Sequence, residues 1–574
     1  MNDELDVRVR EWIANDIDPD TRQELKELLA CRHCDDPQAC ERALDDLSER
    51  FDAYLTFGTA GLRGQLGAGP RRMNAVVIAH ATAAIARFVT QSQSAVSGGS
   101  VRTVVIAFDA REKSAYFAHI AANILAGAGF RALLSPAAVP TPVLAFAVKH
   151  VRADAGIMIT ASHNPRGDNG YKVYLGGAHE GRQLVAPFDD EIHAYMVESL
   201  ESRSARDIPV GDAEILDHSV LDAYISLTAS LVPEPIHEPR FVYTAMHGVG
   251  HDTFTRVLRR AGFTLDAMTI VDEQVNPDPD FPTLPFPNPE EEGALALACA
   301  RAREVGADLV LAHDPDADRL GVGIPDESSD GGYRILTGNE IGVLLGTWVA
   351  LRARLNGMPT GALACSIVSS PQLQRVAEYY GFEFVWTLSG FKWISRVHNL
   401  LFGFEEALGF LVNPHTVHDK DGISAGLAIL SIASELHAEG KTVGNRLDEI
   451  EDQFGVFVSD SFSVRASQKV IAEVMHALRK HPPTELAGVN VASVDDYSIG
   501  LRAAESRGSG LPHADVLTFW LEDGSRVMFR PSGTESKLKV YLDVCADAAE
   551  ASDRRRVALT RLRDITVASR ALVT

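Results

Sequence analysis

The chain has 574 residues, enough for about three to five domains at roughly 100–200 residues each. Apolar residues make up 46% and charged residues 23%, a globular composition that excludes disorder as the main state. Lys plus Arg number 54 against 78 Asp plus Glu, and the resulting formal charge of −24 argues against nucleic acid or anionic membranes as partners, so any anionic ligand needs a local basic pocket.

Residues 1–55 read as peripheral helices, broken near Asp16–Asp20 and Asp35–Pro37. The opening MNDELDVRVREW is acidic and lacks the cationic and apolar segments of a secretory signal. The longest apolar stretch, Ala75–Val89, is interrupted by His80 and Arg87 and reads as a buried helix rather than a membrane span. Six cysteines are too few for a disulfide scaffold, so a reducing cytoplasm is the expected compartment. Cys31, Cys34 and Cys40 surround His33; a metal is open on these ligands, but zinc sites draw on two separated ligand pairs, and ordinary thiols are preferred.

After the Gly-rich segment Phe57–Gly67, strands alternate with helices. Thr103–Phe108 is a continuous apolar run, as expected of a strand buried on both faces; helix Ala115–Gly129, strand Ala132–Leu134, helix Val143–His150 and strand Ala155–Thr160 follow. A second round places strands at Phe241–Ala245, Leu265–Ile270 and Ala307–Ala312, with Asn276–Pro289 too Pro-rich for helix. A third holds helix Glu340–Leu355, strand Ala362–Val368, helix Pro371–Tyr380 and strand Glu383–Leu388. Beyond Phe454 the strands shorten, with Val516–Leu521 and Arg526–Phe529 around a Glu-Asp-Gly turn and a closing Arg-rich helix from Asp553. The expected fold is three successive α/β mixed-sheet domains plus a C-terminal α+β domain around a central cleft, with boundaries at 1–210, 211–325, 326–455 and 456–574.

Three constellations carry chemistry. Thr160-Ala161-Ser162-His163-Asn164-Pro165 follows a buried strand at its carboxyl end, where open α/β sheets collect ligands; the residue types suit both a turn and a nucleophile loop. Ten residues on, Lys172 is placed to return a cation to the serine. Asp314-Pro315-Asp316-Ala317-Asp318-Arg319 sets three carboxylates at alternating positions after another buried strand. Oxygen-only ligation favours Mg²⁺ or Ca²⁺, and the loop lacks the glycine and closing glutamate of an EF-hand. Arg530-Pro531-Ser532-Gly533-Thr534-Glu535-Ser536 offers a guanidinium fork, hydroxyls and approachable amides, a phosphate cradle. Two other phosphate motifs fail: the P-loop glycine position before Gly440-Lys441-Thr442 is Glu435, and the last glycine of a dinucleotide fingerprint at Gly248-Val249-Gly250 is Thr253.

A serine, a cation-binding carboxylate loop and a phosphate cradle describe phosphoryl transfer through phosphoserine. The chain resembles the α-D-phosphohexomutase superfamily, in its phosphoglucomutase/phosphomannomutase branch, which also contains mammalian-type phosphopentomutases. The matching segments, in the family's order, are FGTAGLRG (Phe57–Gly64), TASHNP (Thr160–Pro165), YTAMHGVG (Tyr243–Gly250), DPDADR (Asp314–Arg319), SGFKWI (Ser389–Ile394), GFEEALG (Gly403–Gly409), DKDG (Asp419–Gly422) and RPSGTES (Arg530–Ser536).

The resemblance implies that Ser162 is the phosphorylated nucleophile and that Asp314, Asp316 and Asp318 hold Mg²⁺ together with an oxygen on Ser162. Arg63 and Lys172 would stand near the nucleophile, assisting proton transfer and phosphate binding, with His163 an acid/base candidate. Glu405 and Glu406 would accept hydrogen bonds from sugar hydroxyls, and Arg319, Lys392, Arg530, Ser532, Gly533 and Thr534 would serve substrate binding. The expected reaction interconverts hexose 1-phosphate and hexose 6-phosphate, glucose first and mannose or pentose phosphates as rivals. A sugar 1,6-bisphosphate would act as intermediate and activator, and small-molecule sugar phosphates would be the partners. A Mg²⁺-dependent phosphohydrolase is the reading from another class, disfavoured because a mutase must enclose its bisphosphate from water. Many members have serine where this chain has Ala407, which leaves the preferred sugar open.

Overall fold

The computed structural model describes residues 2–57, 61–92, 101–329, 331–499, 513–532, 537–546 and 551–573. The chain divides into two compact units, Met1–Arg334 with Asn413–Ser431, and Ile335–Val412 with Ile432–Thr574.

In the first unit, strands Thr103–Phe108, Arg131–Leu134, Ala155–Ile159 and Glu214–Ile215 run parallel, and Asp168–Leu175 and Leu62–Gln65 extend the sheet antiparallel beyond Ala155–Ile159. The unbroken apolar runs have a direct cause. Val104 and Ile106 pack into a core with helices Ala75–Gln91 and Ser114–Gly127, whereas Val105 and Ala107 line a space shared with helix Thr141–His150. Both faces are covered, so no polar alternation survives. A second sheet pairs Phe241–Thr244, Met268–Ile270 and Leu309–His313 in parallel, with Leu320–Pro325 antiparallel to Leu309–His313. The strand expected from Leu265 begins at Met268, because Leu265 turns into the left-handed region (φ 68°).

The first unit is completed by a returning segment. Tyr174 Oη donates to Asp419 Oδ2 (2.7 Å), Tyr224 Oη to Asp421 Oδ1 (3.0 Å) and Lys149 Nζ to the carbonyl of His415 (2.7 Å). Asn413–Ser431 thus supplies buried acceptors to tyrosines some 200 residues earlier in the chain, at sequence separations of 245 and 197.

The second unit carries two sheets. Glu383–Thr387, Ala362–Ser366 and Leu400–Glu405 are parallel, with Gly409–Leu411 antiparallel at the edge. The other sheet is antiparallel, in the order Val456–Arg465, Lys537–Ala546, Arg526–Pro531, Leu517–Leu521, Val489–Asp496, Glu485–Leu486. Helices Gln468–Lys480 and Ala551–Ala571 bury Ile471, Met475, Ala558 and Ile565 in the core beneath it. Three α/β sheets followed by one α+β layer is the expected class. Among the described residues, no helix is long and apolar enough to cross a membrane.

Candidate active site

Ser162 leaves the end of strand Ala155–Ile159 with φ 54°, a left-handed backbone that costs a non-glycine residue about 1–3 kcal/mol unless its surroundings enforce it. The enforcement is explicit. Asp109 Oδ2 accepts the Thr160 hydroxyl (2.6 Å), and Thr160 Oγ1 accepts the Ser162 amide (2.8 Å). The Arg111 guanidinium donates to the carbonyls of Ser162 (2.7 Å), Asn164, Pro165 (2.9 Å) and Asp168 (3.2 Å), stapling the whole loop. Arg63, on strand Leu62–Gln65, donates to Asn164 Oδ1 (2.8 Å).

The serine hydroxyl donates to Asp314 Oδ2 at 2.7 Å, and His163 Nδ1 lies 3.3 Å from it. Burial, then the charges of Arg319 and Arg63, push the His163 imidazole well below its ordinary range, so it is neutral at pH 7.

Asp314, Asp316 and Asp318 follow strand Leu309–His313 and are all fully buried, with carboxylate oxygens within 4.8 Å of one another. Gly248 lets this loop pass close by: a Cβ there would sit 2.3 Å from Pro315 Cα, and the Val249 amide donates to the Pro315 carbonyl (2.9 Å). Lys172 Nζ donates to Asp316 Oδ2 (2.8 Å) and Asp318 Oδ2 (3.0 Å), Lys420 Nζ lies 3.0 Å from Asp318 Oδ2, and Thr141 Oγ1 donates to Asp316 Oδ2 (2.5 Å). Burial and the charges of Asp316 and Asp318 push the Asp314 carboxyl well up. Burial also raises Asp316, but the Lys172 ammonium and the hydrogen bonds from Lys172 and Thr141 outweigh it and hold that carboxyl below its usual range. Asp316 Oδ1 and Asp318 Oδ1 are buried without a hydrogen-bond partner among the described residues. Orphaned hard oxygens on a loop of clustered carboxylates suit a divalent cation such as Mg²⁺.

In the second unit, Glu405 ends strand Leu400–Glu405 and Glu406 follows it, both half-buried. Glu405 Oε1 accepts the amide of Gly390, which opens the turn Phe391–Ile394 carrying Lys392, so two sequence motifs meet in one place. Glu406 Oε2 accepts the hydroxyls of Ser366 (3.1 Å) and Ser369 (3.0 Å). Arg530 hydrogen-bonds Tyr541, and burial followed by the Glu406 charge raises that phenol far above its ordinary range. The Ser532 amide donates to the Lys537 carbonyl (2.9 Å). Gly533 and Thr534 lie outside the described residues.

The structure therefore brings Ser162, His163, Arg63, Lys172, Arg319 and the three aspartates together in the first unit, and Lys392, Glu405, Glu406, Arg530 and Ser532 belong to the second. Lys172 reaches the site through the aspartate loop: its ammonium sits on Asp316 and Asp318, whose neighbour Asp314 accepts the Ser162 hydroxyl. Arg319 donates its amide to Asp314 Oδ1 (2.9 Å) and its guanidinium to Glu290 (3.0 Å). Sequence reasoning missed Asp109, Arg111, Thr141 and Lys420. Asp109 and Arg111 stand just past the buried strand Thr103–Phe108, the same strand-end position that singled out Ser162. Cys34 and Cys40 have Sγ atoms 3.5 Å apart, His33 is engaged by Asp6 (2.7 Å), and among the described residues the three cysteines do not form an ion-sharing cluster.

Comparison with known proteins matches four family models along the chain. Phosphoglucomutase/phosphomannomutase alpha/beta/alpha domains I, II and III fall at residues 54–202, 222–327 and 337–454, and the C-terminal domain at 470–558. A Haemophilus influenzae protein named "Probable phosphomannomutase" is 44% identical over 84% of this chain and 95% of its own. A mouse phosphopentomutase is 33% identical over 95% and 91%, and a Staphylococcus epidermidis phosphoglucomutase 33% identical over 88% and 93%. With all four domains matched in order and relatives at 33–44% identity over most of the chain, the chain belongs to the phosphoglucomutase/phosphomannomutase family and is a phosphosugar mutase, an intramolecular phosphotransferase.

Proposed function

We propose that the chain interconverts hexose 1-phosphate and hexose 6-phosphate, with glucose phosphates the preferred pair, through phosphorylated Ser162 and a sugar 1,6-bisphosphate. The observation that carries this reading is the Ser162 hydroxyl hydrogen-bonded to Asp314 at the edge of a buried three-carboxylate site. Asp314, Asp316 and Asp318 would hold Mg²⁺, which when bound offsets charge on a transferring phosphoryl group. A sugar hydroxyl attacks the phosphorus on Ser162, the Ser162 O–P bond breaks, and the new sugar O–P bond forms. The hydroxyl proton goes to a base, and the bisphosphate later returns its other phosphate to Ser162. His163 is the neutral group beside the serine and takes that proton. Lys172 stays an ammonium because Asp316 and Asp318 favour its charged form over the cost of burial, so it and Arg63 neutralise phosphate charge instead.

Glu405 and Glu406 accept hydrogen bonds from neighbouring sugar hydroxyls, and Lys392, Arg319, Arg530, Ser532, Gly533 and Thr534 hold substrate phosphate and sugar. The glucose preference draws support from the two adjacent carboxylates and from the phosphoglucomutase relative. The test incubates purified protein, Mg²⁺ and a trace of glucose 1,6-bisphosphate with glucose 1-, mannose 1- or ribose 1-phosphate. Conversion of glucose 1-phosphate with the highest kcat/KM is expected. A higher value for mannose or ribose phosphate overturns the sugar assignment, and inorganic phosphate released at the turnover rate overturns the mutase reaction in favour of hydrolysis.

A further inference from the structure

The C-terminal sheet contributes a second arginine, Arg526, at the far end of the strand that carries Arg530. Both lie on one face of Arg526–Pro531, opposite Asp543 and Lys539 of the neighbouring strand. Arg526 is buried, 2% exposed, and every arm of its guanidinium is used. Nε donates to Asp543 Oδ2 (2.7 Å), one amino group donates to the Ile367 carbonyl (2.9 Å) and the other to the Ser369 carbonyl. The indoles of Trp386 and Trp520 flank it, with ring centroids 4.9 and 5.3 Å from Cζ.

The two carbonyls belong to the turn after strand Ala362–Ser366, and that turn fixes Glu406. Ser369 Oγ donates to Glu406 Oε2 and accepts the Glu406 amide (3.0 Å each), while Ser366 Oγ donates to the same Oε2 (3.1 Å). With Oε2 committed, Oε1 is the oxygen left for a ligand among the described contacts. The other side of Glu406 is equally closed, since a Cβ on Gly338 would lie 1.9 Å from the Glu406 carbonyl.

We propose that Arg526 is a positioning residue for sugar selection, fixing the spacing between the phosphate-gripping Arg530 and the hydroxyl-gripping Glu406. It rests on the proposed function in taking Glu406 and Arg530 as substrate groups. A planar fork holding two carbonyls and a carboxylate tolerates little displacement, whereas a lysine ammonium would keep the charge and lose the geometry. A mutase acting on hexose phosphates must tell a six-carbon span from a five-carbon one, and a fixed distance between two grips does so without touching the extra carbon.

The experiment compares the parent with Arg526→Lys and Ser369→Ala. For each, kcat and KM are measured with glucose 1-phosphate and ribose 1-phosphate, and amide exchange is followed at Glu406. Arg526→Lys is expected to raise KM for glucose 1-phosphate about tenfold, the loss of roughly one charge-assisted hydrogen bond, and to lower the glucose-to-ribose ratio of kcat/KM by at least about fivefold. Exchange at Glu406 should accelerate about tenfold with an unchanged main melting transition. An unchanged ratio with unchanged Glu406 exchange overturns the proposal. If the parent converts no sugar phosphate, the functional reading fails, and Glu406 exchange alone decides whether Arg526 holds this carboxylate. If Arg526→Lys does not fold, Ser369→Ala must shift the ratio in the same direction, and an unchanged ratio there overturns it.

Discussion

Replacing Lys172 with methionine tests the electrostatics of the carboxylate loop directly. The ammonium lies 2.8 and 3.0 Å from Asp316 and Asp318, worth about 6 kcal/mol each at an effective dielectric of about 20, less several kcal/mol for its own desolvation. Lys420 still reaches Asp318 at 3.0 Å, so the loss falls chiefly on Asp316. Methionine keeps the volume but leaves a buried carboxylate uncompensated, at a cost of about 3–5 kcal/mol. In chelator, the transition that includes the first unit should fall by roughly 4–7 °C, taking an unfolding entropy of about 2.1 cal/mol/K per residue across that unit. Saturating Mg²⁺ should recover part of the loss, on the order of 2–3 kcal/mol at a hundredfold excess over Kd. Differential scanning calorimetry with and without Mg²⁺ reads both effects. A Lys172→Met protein that melts with the parent in chelator would show that the ion pair contributes nothing, and the electrostatic reasoning would be wrong.

Ser162→Ala should abolish turnover while changing substrate affinity by less than about threefold, as calorimetric titration with glucose 1-phosphate would report; an active alanine variant removes Ser162 as the phosphoryl carrier. Asp316→Asn should weaken Mg²⁺ binding by at least about tenfold, and Mg²⁺-independent activity in that variant would mean that the loop is not a metal site. His80 is buried against Ser199 (2.8 Å), and burial followed by the Arg203 charge lowers it to about 4. Its folded pKa lies below the unfolded value, so the stability it supports is present above about pH 6.5 and is lost as pH falls towards 4, up to roughly 3 kcal/mol. Urea midpoints across that range should show the slope, and His80→Gln should flatten part of it; an equal slope in both proteins refutes the assignment.

Much of the fold was legible because burial on both faces leaves an unmistakable trace. TVVIAF could only be a central strand, and the strand ends then pointed to Ser162 and to the aspartate loop. Strand Asp168–Leu175, by contrast, went unread, since it opens on Asp168-Asn169-Gly170, residue types that disfavour strands. Pairing with Gln65, Gly64 and Arg63 from 100 residues earlier overrides the local preference. Lys172 was found, but its contacts with Asp316 and Asp318 were not, because those partners are set by a loop some 140 residues downstream. Arg111 was invisible for a related reason: it acts through four backbone carbonyls, and carbonyls carry no sequence signature. Arg526 differs from its neighbour Arg530 only in facing buried carbonyls and Asp543, a distinction that tertiary packing makes.

The excursion of the backbone back to the first unit at Asn413–Ser431 has a practical corollary for anyone dissecting this protein. A fragment stopping at Arg334 would keep every residue of the aspartate loop but forfeit the acceptors of two interior phenols and the second ammonium on Asp318. The Tyr174 and Tyr224 hydroxyl protons, left without these acceptors, would each cost about 1–3 kcal/mol. The halves of this protein are stitched rather than hinged in sequence, and a workable dissection must graft residues 413–431 onto the amino-terminal piece instead of cutting once.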